Sequence, residues 1–274
     1  MALARESHEH RRMSYRGFAL RLEGDCTEAE ACGVVDRVLR TPGERIADVL
    51  ERPAGRGRAF VKAEFRRPDQ PLRKRVRPGR AVAEGRGYRL FLAAGLPVPR
   101  LLLFGEQPRV LPRACSLIAT SFLPRRDAYA LFAADGDPRW PLAAVATLAA
   151  IHDAGFLHGD AALRNFVPGE AAEERAHAID LPRWAAWSPA GVTRDLAQLL
   201  GTTHKHGGDE ALRERLLDAY GAASARAADL PDDWRDQART YAARHLAYLV
   251  EALRDRTSIA TAAAPAPRVR GKLW

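Results

Sequence analysis

Apolar and polar positions alternate in short runs over the first part of the chain and fall into longer helical repeats after it. Gly17 to Glu23 alternates as a strand does. Thr27, with Glu30 three residues on, is the start signature of a capping box, and the helix it opens is expected to reach Leu39. Thr41-Pro42-Gly43 predicts a turn, Arg45 to Glu51 a strand, and Pro53-Ala54-Gly55-Arg56-Gly57 a second turn. Arg58 to Phe65 follows as another strand. Ala81 to Ala94 reads as a helix closed by Gly95, and Pro97 and Pro99 forbid its continuation. Leu101 to Gly105 and Cys115 to Ser121 complete the strands.

From about Trp140 the chain turns helical and rich in alanine. Pro141 suits a first turn, and Leu142, Val145, Leu148 and Ile151 recur at helical spacing. Arg194 to Leu200 is expected to start a further helix. Pro231 to Arg254 carries Trp234, Ala238, Tyr241, Leu249, Val250 and Leu253 on one side. The tail after Ala264 reads as irregular. Strands with an inserted helix, then helices, make an α+β chain: a small mixed β-sheet lobe ahead of a larger, mainly helical one. The expected boundaries are residues 1–119 for the first lobe, 120–127 for a hinge, 128–263 for the second lobe and 264–274 for the tail.

Composition narrows the setting. The chain has 274 residues, 47% hydrophobic and 28% charged, as a globular protein does. Its longest apolar run, Leu142 to Ile151, is ten residues, too short to span a bilayer. Met1 to Arg12 lacks the apolar segment of a secretory signal. Cys26, Cys32 and Cys115 cannot all pair and match no zinc spacing, so a reduced, cytoplasmic setting is expected. The net charge of +9 is concentrated in residues 1–120, where 24 Lys/Arg face 14 Asp/Glu. Seven of those cations lie between Arg66 and Arg80, opposed only by Asp69. This stretch is either a solvated loop or a surface for an anionic partner. No base-stacking or groove-reading motif accompanies the charge, so no nucleic acid is expected.

The chemistry lies in Leu157-His158-Gly159-Asp160-Ala161-Ala162-Leu163-Arg164-Asn165. Here an aspartate and an asparagine stand five residues apart between apolar runs. Phosphoryl transfer needs such a pair: a carboxylate to take a hydroxyl proton and an amide oxygen to hold a magnesium ion. Asp160 is the candidate base and Asn165 a candidate metal ligand. Asp180, on a strand in Ala178-Ile179-Asp180-Leu181, is a second candidate ligand, because a charge embedded there needs a cation. Lys62, after Phe60-Val61, is the candidate lysine for nucleotide phosphates, and Glu84 on the next helix its partner. His158 is assigned to holding the loop backbone. Asp195 either complements a helix N-terminus or hydrogen-bonds the loop from beneath.

These motifs, with Ala94-Gly95-Leu96-Pro97-Val98-Pro99, Leu103-Phe104-Gly105-Glu106, Ile118 to Leu123, Ile179-Asp180-Leu181-Pro182-Arg183 and Arg194 to Leu200, resemble the bacterial lipopolysaccharide core kinases. This is the Kdo and heptose kinase family of the protein-kinase-like superfamily. The resemblance covers about Gly43 to Leu200 and implies a two-lobed protein-kinase-like fold. It also implies ATP and Mg2+ as cofactors, and Ile118 to Leu123 as a hinge whose Thr120 and Phe122 face the nucleotide. The implied activity is phosphorylation of a Kdo or heptose hydroxyl on lipopolysaccharide core, or on another anionic sugar acceptor, with peripheral contact at the inner membrane. A Gly-x-Gly-x-x-Gly loop is absent from the sequence, so Thr41-Pro42-Gly43 or Pro53 to Gly57 must cover the phosphates. His158-Gly159-Asp160 is also similar to aminoglycoside-type phosphotransferases. A small hydroxylated molecule or a protein therefore stays open as acceptor, as does a non-catalytic pseudokinase. An acidic pocket in the helical lobe would favour an aminoglycoside, and a basic one a phosphorylated sugar.

Overall fold

A computed structural model of the chain describes residues 11–66, 77–108, 111, 113–169 and 175–247. The chain opens with a hairpin, β1 (Arg11–Tyr15) and β2 (Phe18–Leu22), turned at Arg16 and Gly17, both with positive φ. Such a turn matches the twist of the paired strands. In β2 the alternate residues Phe18, Leu20 and Leu22 are buried, as the alternation predicts. β1, polar and charged, was not expected from its own pattern and exists by pairing with β2.

Helix α1 (Glu28–Arg40) starts on the expected capping box. Thr27 Oγ1 accepts from Glu30 N (3.2 Å), and Thr27 N donates to Glu30 Oε2 (2.7 Å). Two antiparallel strands, β3 (Arg45–Glu51) and β4 (Arg58–Phe65), follow. Then come α2 (Arg80–Ala93), β5 (Leu101–Glu106) and β6 (Cys115–Ser121). The six strands form one sheet in the order β1-β2-β5-β6-β4-β3, with every pairing antiparallel. Lys62 sits on β4 opposite Ala47 on one side and Ile118 on the other. One face of the sheet packs against α1 through Val35, Val61 and Leu117. The other packs with α2 through Phe104 and Ile118 into a core that continues into the helical part.

That part holds α3 (Ala128–Asp135), α4 (Arg139–Asp153), α5 (Pro189–Lys205), α6 (Glu210–Ala223) and α7, which is helical over residues 234–247. Among the described residues between α4 and α5 lie four two-residue strands: β7 (Phe156–Leu157), β8 (Phe166–Val167), β9 (His177–Ala178) and β10 (Ala185–Ala186). They pair as β7 with β10 and β8 with β9. The fold is thus the two-lobed, protein-kinase-like α+β arrangement.

Three expectations are corrected. Helix α5 begins at Pro189, capped by Ser188, rather than at Arg194. The Ser-Pro pair is a start signal that outranks the later apolar periodicity. β9 ends at Ala178, so Asp180 lies just past a strand, with φ +59. On α7, Trp234, Ala238 and Ala242 are buried while Tyr241 is exposed. The small residues let α7 approach Gly201 of α5 closely, where His245 and Ala242 are the neighbours. Leu249, Val250 and Leu253, most of the basic stretch (residues 67–76) and the tail lie outside the described residues.

Candidate active site

A cavity of about 650 Å³ opens between the sheet and the helical part. That volume is in the range of small-molecule sites. Its walls are apolar at Phe60, Ile118, Val167 and Ile179, and Thr120 and Phe122 line one side. The Phe122 amide donates to Arg58 O (3.0 Å), so it extends the β4–β6 ladder and is not turned to the cavity.

At the opposite end four charges meet. Lys62 Nζ donates to Glu84 Oε1 (2.9 Å) and to Asp180 Oδ1 (3.1 Å). Glu84, on α2, is 2% exposed, a position that a carboxylate holds only with a cation against it. Burial works against the Lys62 ammonium, but Glu84 and Asp180 outweigh it and hold its pKa above the ordinary lysine value. Burial likewise pushes the Asp180 carboxyl up, and the Lys62 and Arg80 cations outweigh it, leaving Asp180 below the ordinary value. Arg80, the first residue of α2, reaches both Asp180 oxygens at 3.1 and 3.0 Å. The Asp180 amide donates to the buried Tyr88 hydroxyl (3.3 Å), which supports its left-handed conformation.

The loop after β7 carries the other candidates. Asn165 Nδ2 donates to Asp160 O (2.7 Å), and Ile179 N donates to Asn165 O (2.9 Å). Asp160 and Asn165 are therefore tied to each other and to the chain just before Asp180. The loop hangs from one face of α5. Asp195, in the second turn and not at the helix start, accepts from His158 N (2.8 Å) and Gly159 N (3.0 Å). Gln198 accepts from Ala161 N (2.8 Å) and Thr202 from Leu163 N (3.0 Å). His152 Nε2 lies 3.3 Å from Asp195, and its Nδ1 is 2.9 Å from the Tyr220 hydroxyl. The His158 ring is fully buried, which lowers its pKa and keeps it neutral; the Asp160 amide donates to its Nδ1 (3.4 Å). Gly159 has φ +76, and a Cβ there would lie 2.1 Å from Arg183 O, so this close pass requires glycine.

Several contributors escaped the sequence reading. Gln198 and Thr202 follow Asp195 by three and seven residues, a helix-face signal that was available. Arg80 and Tyr88 carry no motif. Gly87, inside a helix where glycine is unfavourable, was a signal. A Cβ there would lie 2.5 Å from Trp184, whose indole donates to Ala83 O (3.1 Å) and docks the segment after Asp180 on α2.

Asp180 and the Asn165 amide offer hard oxygen donors, the set that suits magnesium shared with phosphates. Among the described residues there is no group of three or more His, Cys, Asp or Glu that could hold a metal ion by itself. The donor set therefore fits an ion whose remaining ligands are water or phosphate oxygens. Of the two turns proposed to cover phosphates, Thr41-Pro42-Gly43 leads into Arg45, which lines a small cavity with Lys62, Arg80 and Asp180. The turn at Pro53 to Gly57 is tied instead to Asp25 and Glu30 through Arg52 and Arg56.

Fold and site define a protein-kinase-like phosphotransferase. The model of the lipopolysaccharide kinase (Kdo/WaaP) family matches residues 65–221, more than half of the chain, and the chain belongs to that family. No curated protein matches the sequence. Among solved structures, an amicoumacin kinase in complex with AMP-PNP, Ca2+ and amicoumacin is 13% identical with a TM-score of 0.53, covering 84% of this chain and 97% of its own. It shares the fold. WaaP in complex with acyl carrier protein is 22% identical with a TM-score of 0.49, covering 74% of this chain and 87% of its own. An aminoglycoside-3'-phosphotransferase of type VIII is 15% identical with a TM-score of 0.47, covering 75% and 96%.

Proposed function

We propose that the protein transfers the γ-phosphate of ATP, with Mg2+, to a Kdo or heptose hydroxyl of lipopolysaccharide core. The observation that carries this is Lys62 joined to both Glu84 and Asp180 at one end of a nucleotide-sized cavity. Lys62 would hold the phosphates, and Glu84 would hold Lys62. Asp180 and Asn165 would share the metal ion, and Asp160 would take the proton of the acceptor hydroxyl. His158 and Asp195 would keep that loop in place, while Thr120 and Phe122 would border the base of the nucleotide. The lobes of residues 1–119 and 128–263, joined by the hinge of residues 120–127, would frame the cleft.

An anionic acceptor is supported beside Asp160 by Arg164, which is half-exposed with its guanidinium 4.0 Å from the Asp160 carboxylate. A cation there attracts a phosphorylated or carboxylated sugar and repels an aminoglycoside. Among the described residues no helix is long and apolar enough to cross a membrane. With lipopolysaccharide core as acceptor, the reading puts the protein at the cytoplasmic face of the inner membrane, in peripheral contact with that acceptor.

The test is to incubate purified protein with Mg-ATP and lipopolysaccharide core, then weigh the acceptor beside an Asp160→Ala control. A gain of one phosphate, about 80 Da, absent in the control, is expected. No gain while ATP is still bound would reject this acceptor in favour of a small hydroxylated molecule or a protein. No gain and no ATP binding would leave the pseudokinase.

A further inference from the structure

The phosphate end of the cleft contains one cation more than the proposed mechanism uses. Lys62 and Arg80 face Glu84 and Asp180, so the cluster is charge-balanced before any nucleotide arrives. Both Asp180 oxygens already face a cation: Lys62 and Arg80 both donate to Oδ1, and Arg80 also donates to Oδ2. A magnesium ion at about 2.1 Å from either oxygen would be repelled by both cations already held there. Departure of one of the two cations relieves that repulsion.

The surroundings decide which. Lys62 is pinned by Glu84, which is 2% exposed and would be left unpaired if the lysine moved. Arg80 has an alternative. Its side chain is 44% exposed, it stands at the first residue of α2, and it lines the small cavity of about 110 Å³ into which Arg45 and Lys62 also face. A guanidinium displaced from Asp180 there meets the triphosphate that brings the metal, and its planar fork suits phosphate oxygens.

We propose that Arg80 is an exchangeable counter-ion. It neutralises Asp180 and holds that residue's left-handed backbone in place while the site has no nucleotide, then moves to the nucleotide phosphates as the metal takes the carboxylate. The inference rests on the reading of Asp180 as a metal ligand. It assigns Arg80 a positioning role for which a static surface ion pair has no counterpart: removal must act on metal and on nucleotide with opposite signs.

The experiment uses the full chain and two titrations. Mn2+ binding without nucleotide is followed by the loss of the free-ion electron paramagnetic resonance signal, and Mg-ATP binding by calorimetry. Arg80→Gln should tighten Mn2+ by roughly 2- to 5-fold, since the competing ion pair is half-exposed. The same change should weaken Mg-ATP about tenfold through loss of a charge-assisted bond. Arg80→Lys, which keeps the charge and loses the fork, should tighten Mn2+ less. Asp180→Asn should abolish Mn2+ binding. If Asp180→Asn leaves Mn2+ binding unchanged, the metal reading falls and takes the role of Arg80 with it. If Asp180→Asn abolishes binding while Arg80→Gln leaves Mn2+ affinity unchanged or lowers it, the counter-ion proposal alone is overturned.

Discussion

Asp195 offers the most demanding test of how the loop bearing Asp160 is held. Its side chain is buried and accepts the amides of His158 and Gly159 at 2.8 and 3.0 Å, with His152 at 3.3 Å. In Asp195→Ala both amides lose their acceptor in a place with little access for water. Each such donor costs about 1–3 kcal/mol, so the change should destabilise the fold by about 2–6 kcal/mol. Against a total of about 5–15 kcal/mol that is a severe loss. Asp195→Asn retains one carbonyl oxygen and should cost about half as much, because one amide keeps a partner while the other faces an NH2 group. Urea unfolding measures both. Turnover per folded molecule should also fall about 100-fold in Asp195→Ala, because Asp160, the proposed base, loses near-attack geometry when displaced by about 1 Å. A midpoint shift worth less than about 1 kcal/mol, or unchanged turnover per folded molecule, would refute the claim that this carboxylate hangs the loop.

Other changes probe the cluster and its frame. Lys62→Ala should sharply reduce ATP use and destabilise by about 3–5 kcal/mol, since Glu84 is left buried and unpaired. Thermal melts of Lys62→Ala with Glu84→Gln should regain much of that stability while activity stays lost, and no regain would mean that the pair is not what holds Glu84. Gly87→Ala should lower the melting temperature even though alanine favours helix by about 1 kcal/mol, because the added methyl meets Trp184; a raised melting temperature contradicts the close packing. The Asp180 carboxyl lies below its ordinary value because Lys62 and Arg80 outweigh its burial. The stability it contributes is thus present above its unfolded value of about 3.9 and is lost as pH falls through the lower folded value. Asp180→Asn should therefore be less stable than wild type above about pH 4 and converge with it in stronger acid; a difference that does not vary with pH would count against this account.

The local parts of the fold were legible in the residues themselves. The Thr27–Glu30 box, the run Phe60-Val61-Lys62 and the Gly95 stop appear where the pattern put them, because caps, alternation and breakers act within a few residues. The polar strand β1 was not legible, since only its pairing with β2 makes it a strand. The contact between Lys62 and Asp180 joins residues 118 positions apart, and motif order implied it where spacing could not. The phosphate-side turn was undecidable for a similar reason. Both candidate turns have turn chemistry, and only the register of β3 on β4, Arg45 opposite Glu64, brings Arg45, just past one of them, to the cavity beside Lys62. Arg80 was invisible because it sits in a basic stretch where any of seven cations looked alike.

The loop bearing Asp160 is fastened to α5 by four main-chain amides, those of His158, Gly159, Ala161 and Leu163, and not by the side chains of those residues. A peptide N–H is the same whichever residue supplies it. The fastening is therefore indifferent to most substitutions along the loop, provided Gly159 keeps its narrow pass. Arg164, which projects beside Asp160, belongs to the replaceable part. Descendants of such a chain could exchange that residue, and with it the charge of the acceptor they favour, without rebuilding the support beneath. Conservatism of mechanism and freedom of substrate would then have a common origin in bonds that read backbone alone.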